Sequence, residues 1–392
     1  MQNFCCCKTF ATKCDGFYNF VLILMKIVIA SDSFKGSLSS LQVADAIEEG
    51  VRSVVGDGAE IVKINVADGG EGTTEVLIAS LGGEKVCATV SDPLGRPVSA
   101  SYGIAGDTAV MEMAAASGLP LLEVSERNPL LAGTKGPGEI IADALARGCR
   151  NFLVGIGGSA TNDGGMGMLS ALGWRFLDAE GNVLEGCGAS LGKIRSIDDS
   201  RVLPALRESS FTVACDVDIP FYGPGGAAYL FAPQKGATPQ MVAALDRGLG
   251  NLASVIASKY GIRVDDVPGA GAAGGLGGAF LAFLGAKLVP GIEMVLEAIR
   301  FDEVIKGADL VFTGEGRIDS QTLHGKTPSG VLSHAAGQGV KVIAIGGRVD
   351  ARPEGFFRVI QASPADMPLE QAMDYETAFA NVRAAAVKAM NI

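Results

Sequence analysis

Lys26-Ile27-Val28-Ile29-Ala30 runs directly into Ser31-Asp32-Ser33-Phe34-Lys35-Gly36-Ser37. An apolar, β-branched run bounded by a polar segment with glycine is the pattern of a buried strand opening into a loop. Ser39 or Ser40 then stands where a helix N-cap belongs, ahead of Val43, Ala46, Ile47 and Val51 at helical spacing. Residues 61–66 repeat the strand, and Ala67-Asp68-Gly69-Gly70-Glu71-Gly72-Thr73 repeats the loop before another helix. Strand, loop and helix in alternation predict a parallel, doubly wound sheet.

Outward from this opening the pattern changes. Residues 85–113 read as short strands separated by the turns Asp92-Pro93-Leu94-Gly95 and Ala105-Gly106-Asp107, an antiparallel meander belonging to a different sheet. A helix at residues 138–148 and a strand at 151–156 follow, and parallel-type alternation returns after Ala308, with another strand at residues 340–345. The fold class expected is α/β: a Rossmann-like doubly wound parallel-sheet domain from residues 25–66 and 290–392, with a second mixed α/β domain, residues 67–289, inserted into it.

A chain of 392 residues suits two domains, and 48% hydrophobic residues with 54 glycines and 6% aromatics fit a compact α/β enzyme. The net charge of -11 excludes a general nucleic-acid surface. An anionic substrate would be met locally, by Lys35, Lys235, Arg317 and Lys326. The eight cysteines form no C-x-x-C pair, and with only His324 and His334 beside them no zinc cluster is expected. Scattered thiols of this kind suit a reducing, cytoplasmic compartment. In residues 1–24, Lys8 and Lys13 precede the apolar run 17–25, which superficially resembles a signal peptide. No small-residue cleavage site follows, and the run is too short for a membrane helix. Residues 1–24 are therefore expected to stand outside the fold, with Met25 rather than Met1 the natural start.

The chemistry is concentrated in Phe312-Thr313-Gly314-Glu315-Gly316-Arg317-Ile318-Asp319 and His324-Gly325-Lys326-Thr327-Pro328. Charged groups on a glycine-bearing loop after a strand suit phosphate, a divalent metal and close backbone approach, which together suggest phosphoryl transfer. Residues 320–327 stop one residue short of a P-loop, because Ser320 stands where the first glycine belongs. Gly155-Ile156-Gly157-Gly158-Ser159-Ala160 formally matches G-x-G-x-x-A, with Asp178 near the offset of a ribose-binding acid, and supports a competing nicotinamide oxidoreductase. However, Thr161-Asn162-Asp163-Gly164-Gly165 follows where that fingerprint needs a helix. An anion nest from Gly157, Gly158 and Ser159, with Thr161 as a further donor and Asn162 and Asp163 as orienting groups, explains the loop better. Asp68 and Glu71, separated by glycines, suit either a helix N-terminus or magnesium. Asp216 at the end of the strand 211–214 suits general-base work, as does His324.

Taken together, Ile29 to Ser37, Ala67 to Thr73, Gly157 to Gly165, Ala214-Cys215-Asp216-Val217, Phe231 to Gly236, Gly269 to Gly278 and Thr313 to Lys326 closely resemble the bacterial glycerate kinase family. They occur in that family's order from Met25 to the C-terminus. The resemblance implies phosphorylation of D-glycerate by ATP with Mg2+ in organic acid catabolism, the 2-phosphate favoured over the 3-phosphate. A homo-oligomer is left open, and no membrane partner is implied. Residues and resemblance together make Lys35, Asp163, Asp216 and Arg317 the candidate catalytic groups. Gly157, Gly158, Ser159, Thr161, Asn162, Lys235, Gly314, Gly316 and Lys326 are candidates for the nucleotide. Ser33, Lys35, Gly69, Gly70 and His324 are candidates for the substrate, and Asp68, Glu71, Glu315 and Asp319 for the metal. A non-catalytic sugar-acid binding module is the remaining alternative; it would release no ADP.

Overall fold

The strand Phe17–Ser31 is flanked by Ala59–Asn65 on one side and Leu310–Ile318 on the other, both parallel to it. Lys341–Val349 and Arg358–Gln361 complete the row, again parallel. The computed structural model describes residues 7–14, 17–70, 72–320, 322 and 325–391, with backbone alone for 7–14 and 17–24. The chain divides into two compact units, Met1–Asp68 with Val295–Ile392, and Gly69–Met294.

In the first unit the chain leaves the strand Phe17–Ser31 towards one edge of the sheet and later returns on its other side. That reversal of direction creates a switch point, where open α/β sheets bind ligands beyond the carboxyl ends of the strands. Ser39 caps the helix Ser40–Val55 through a reciprocal capping box with Gln42. Val43, Ile47 and Val51 bury that helix against Ile27, Ile29, Phe312 and Ile345, each contributing roughly 1.5–3 kcal/mol. Gly50 allows close approach of the helix Tyr375–Met390, since a Cβ there would lie 2.4 Å from the Arg383 carbonyl oxygen.

Two expectations change. Residues 7–14 pair antiparallel with residues 17–24, so the segment before Met25 carries strand backbone that continues into the first strand of the sheet. The strand expected to stop at Phe312 extends to Ile318 and stays in register with Lys341–Val349 throughout. Gly314 explains the extension: a Cβ there would meet the Ile345 carbonyl oxygen at 2.2 Å. Glu315 and Arg317, two residues apart, therefore share one face of a strand rather than riding a free loop.

The second unit holds a mixed six-stranded sheet in the order Lys287–Val289, Ser210–Ala214, Asn151–Gly155, Thr108–Glu112, Pro97–Ala105, Glu84–Ser91. The first four are mutually parallel and Pro97–Ala105 runs antiparallel to both its neighbours, so the meander joins the parallel strands through Thr108–Glu112. Its core includes Phe152, Phe211, Phe280, Leu249 and Ile256.

Candidate active site

At the switch point of the first unit, the loop after the strand Phe17–Ser31 meets the carboxyl end of Leu310–Ile318, with the Asp32 amide donating to the Gly314 carbonyl at 3.0 Å. A cavity of about 730 Å³ opens there, and Asp32, Lys35, Asp68, Glu315, Arg317 and Lys326 are among its walls. Ser33, Gly316 and Asp319 line it too.

Asp32 is nearly buried. Its carboxylate accepts from the Ser33 amide at 2.7 Å and from the Thr327 hydroxyl at 3.2 Å. Thr327 begins the helix Thr327–Gly337, so this bond ties the loop to a helix start. Burial, helped by the Asp68 charge, pushes the Asp32 pKa up to about 6, against three smaller opposing contributions. Lys35 Nζ lies 3.3 Å from Asp68 Oδ2, and that carboxylate is the main reason the lysine pKa is raised. With the lysine side chain 77% exposed, the pair contributes about 1 kcal/mol at most to stability, so its value lies in placing charge at the cavity.

Glu315 accepts from the Thr322 hydroxyl at 2.6 Å, and Lys326 Nζ stands 3.5 Å from Glu315 and 3.8 Å from Asp319. Burial raises the Glu315 pKa. Arg317 and Arg348 donate to the two oxygens of Asp350 at 2.6 and 2.7 Å, which lowers the Asp350 pKa. Both guanidiniums keep most of their surface in solvent, with donors to spare for an anion.

The second unit carries the other candidates. Gly157 and Gly158 are exposed at the tip of the loop after Asn151–Gly155, and Gly158 has φ 73°. Behind them Lys235 is fully buried and donates to Ser159 Oγ and the Thr161 carbonyl, each at 2.7 Å. Burial brings its pKa down to about 7, partly offset by the Asp163 charge. Thr161 and Asn162 are also buried, and the Thr161 hydroxyl and the Asn162 amide have no hydrogen-bond partner among the described residues. Asp163 accepts from the Thr134 amide and hydroxyl and from the amides of Gly165 and Gly167, at 2.7 to 3.2 Å. A carboxylate so enclosed organises backbone; it is not placed to take a proton from a ligand.

Asp216 is exposed at the end of Ser210–Ala214 and accepts from the Gly291 amide at 2.8 Å. Gly69, at φ 85°, approaches Gly291 so closely that a Cβ would lie 2.5 Å from its Cα, and Gly70 accepts from the Thr73 amide. Glu71 and His324 lie outside the described residues. Asp178, the acid of the dinucleotide fingerprint, accepts from the amides of Glu180 and Asn182 within its own turn.

Sequence reasoning missed Asp32, Arg348 and Asp350. Asp32 had a usable signal, being the first acid beyond a buried strand. The glycine pair Gly346-Gly347 before Arg348 repeats the spacing of glycine and arginine at Gly316-Arg317.

The first unit thus carries a cavity lined by both acids and bases at the switch point of its parallel sheet. The profile of the Glycerate kinase family matches residues 27–392. The chain is 48% identical over 358 residues to glycerate kinase of Bacillus subtilis (strain 168), covering 90% of this chain and 94% of that protein. It is 51% identical over 325 residues to glycerate 2-kinase of Escherichia coli (strain K12), covering 82% and 85%. A crystal structure of a provisionally named glycerate kinase 2 from Salmonella typhimurium LT2 matches with a TM-score of 0.85 at 46% identity, covering 93% of this chain and 97% of that one. The chain belongs to the glycerate kinase family and is an enzyme of that class.

Proposed function

We propose that the chain transfers a phosphoryl group from ATP to D-glycerate, giving 2-phosphoglycerate, in cytoplasmic organic acid catabolism. The observation that carries this reading is the gathering of Lys35, Arg317 and Lys326 with Asp32, Asp68 and Glu315 around one cavity of an otherwise acidic protein. The likeness to the Escherichia coli glycerate 2-kinase favours the 2-hydroxyl.

Phosphoryl transfer needs mainly positioning and neutralisation of charge. Lys35 and Arg317 supply cationic donors for the substrate carboxylate and the transferring phosphoryl. Asp32, rather than Asp163, is the group of the first unit poised to accept the hydroxyl proton, because its pKa lies close to neutrality and its carboxylate borders the cavity. Asp163 acts by positioning the Gly157–Gly158 tip, whose exposed backbone can receive a phosphate oxygen. Asp216 remains a candidate acceptor in the second unit.

Magnesium takes one or two carboxylates and completes its shell with phosphate oxygens and water. Glu315 and Asp319 would hold it, with Asp68 as the further acid, and it would neutralise phosphate charge when bound. Lys326 stands close to both Glu315 and Asp319. Release of ADP from MgATP that depends on D-glycerate tests the reading, and ADP release indifferent to D-glycerate would refute it.

A further inference from the structure

The cavity of the first unit is lined by side chains of two kinds. Beside the charged groups already described stand Phe34, Met367, Leu369, Ala372, Met373 and Val382. Leu369 is 74% exposed and Met373 38% exposed, so these two side chains present apolar surface to solvent instead of being spent on the core. A volume of about 730 Å³ lies within the range of about 300–1,000 Å³ that accommodates a ligand of nucleotide or drug size. A three-carbon acid with a carboxylate and two hydroxyls cannot fill that space, and it has no apolar face to set against a wall of this kind.

We propose that the apolar side chains of this cavity receive the purine base of the nucleotide, and that the triphosphate runs from it towards Arg317, Arg348 and Lys35. This deepens the kinase reading above and rests on it. Four observations fit this one occupant. Apolar side chains and cations border the same cavity, as a ligand with an aromatic head and an anionic tail requires. Two methionines face the space, and thioethers are adaptable and make favourable contacts with aromatic rings. Arg317 and Arg348 both donate to Asp350, which fixes two guanidiniums at the cavity without consuming all their donors. Gln361 and Ser363 line the same cavity, and Gln361 is itself fixed by accepting from the Val349 amide at 3.0 Å and donating to the Ser363 carbonyl at 2.7 Å. They offer polar groups to the edge of a base.

The test uses Leu369→Asp and Met373→Asp, both at exposed positions where folding is little affected, and Ala372→Trp, which adds bulk among the apolar lining residues. In the full chain each should raise the KM for ATP about tenfold or more, as expected from loss of one large apolar contact, with KM for D-glycerate changed less than twofold. Adenosine, which has the base without phosphate, should compete with ATP in the unaltered enzyme and lose that competition in Ala372→Trp. An unchanged KM for ATP in all three variants, or a rise confined to D-glycerate, would overturn the proposal. Equilibrium binding of the fluorescent analogue mant-ATP keeps the two readings apart, because it needs no turnover. Binding that weakens in the variants supports the base site even if D-glycerate proves not to be the acceptor, and binding equal in all forms removes it even if D-glycerate is phosphorylated.

Discussion

Lys235 Nζ donates to Ser159 Oγ at 2.7 Å deep within the second unit, behind the exposed Gly157–Gly158 tip. Burial brings the lysine pKa down to about 7 from its ordinary 10.5. Between those values the unfolded chain binds a proton that the folded chain does not, so this residue makes stability rise with pH across that window and lowers it most below pH 7. Lys235→Met should remove the slope. Melting temperatures at pH 7 and pH 10 should show the unaltered chain gaining on the variant as pH rises. At pH 7 the variant should lose about tenfold in kcat/KM, because Ser159 and the Thr161 carbonyl lose their shared partner. Parallel pH dependences would show that the lysine does not titrate in this window.

Asp32 has the opposite sign. Its pKa is raised from 3.8 to about 6, so the folded chain holds a proton that the unfolded chain has lost, and stability falls as pH rises through that range. Asp32→Asn should therefore be more stable than the unaltered chain at pH 8, by up to ~3 kcal/mol, and gain nothing at pH 3.5. Its kcat/KM should fall by about 100-fold or more. In the unaltered enzyme kcat/KM should rise with pH with a midpoint near 6, and the variant's residual activity should lack that limb. A variant with full activity would exclude Asp32 as proton acceptor.

Lys35→Ala and Arg317→Ala each remove a charge-assisted donor at the cavity, worth about 1.5–3 kcal/mol or roughly 10- to 150-fold in kcat/KM. Thermal stability should move little, since the Lys35–Asp68 and Arg317–Asp350 pairs are largely exposed on the cationic side. Steady-state kinetics beside a melting curve checks both statements. A large fall in melting temperature with unchanged kinetics would make these residues structural.

Removing residues 1–24 should leave kcat/KM and melting temperature unchanged. The family profile begins at residue 27, and the buried core described for the first unit begins at Met25. Assay and melting of a chain started at Met25 check this, and a loss of either would show that the segment contributes.

The parallel sheet was legible because its central strands are continuous apolar runs, the form that strands buried on both faces must take. The Ser39 cap and the antiparallel meander were legible from turn and capping chemistry alone. The extension of Leu310–Ile318 was not. Glycines and charges read as loop, and only the close passage of Gly314 against Ile345 shows why a strand continues there. The site was partly legible, since Lys35, Asp68, Glu315, Arg317, Asp319 and Lys326 all reach one cavity. Asp163 could not be placed correctly from sequence, because its four donors come from Thr134, Gly165 and Gly167, and Thr134 lies far away along the chain. Lys235 reads as a cation that meets an anion locally; its burial depends on a distant segment, Ser159 to Thr161, folding over it.

The account is tested most directly by the product formed from D-glycerate and MgATP, passed to enolase with and without phosphoglycerate mutase. It predicts phosphoenolpyruvate from enolase alone, at a rate that collapses in Lys35→Ala and Arg317→Ala. Absence of any phosphorylated glycerate would contradict the proposed reaction, and product that reaches phosphoenolpyruvate only with the mutase would contradict the 2-hydroxyl as acceptor.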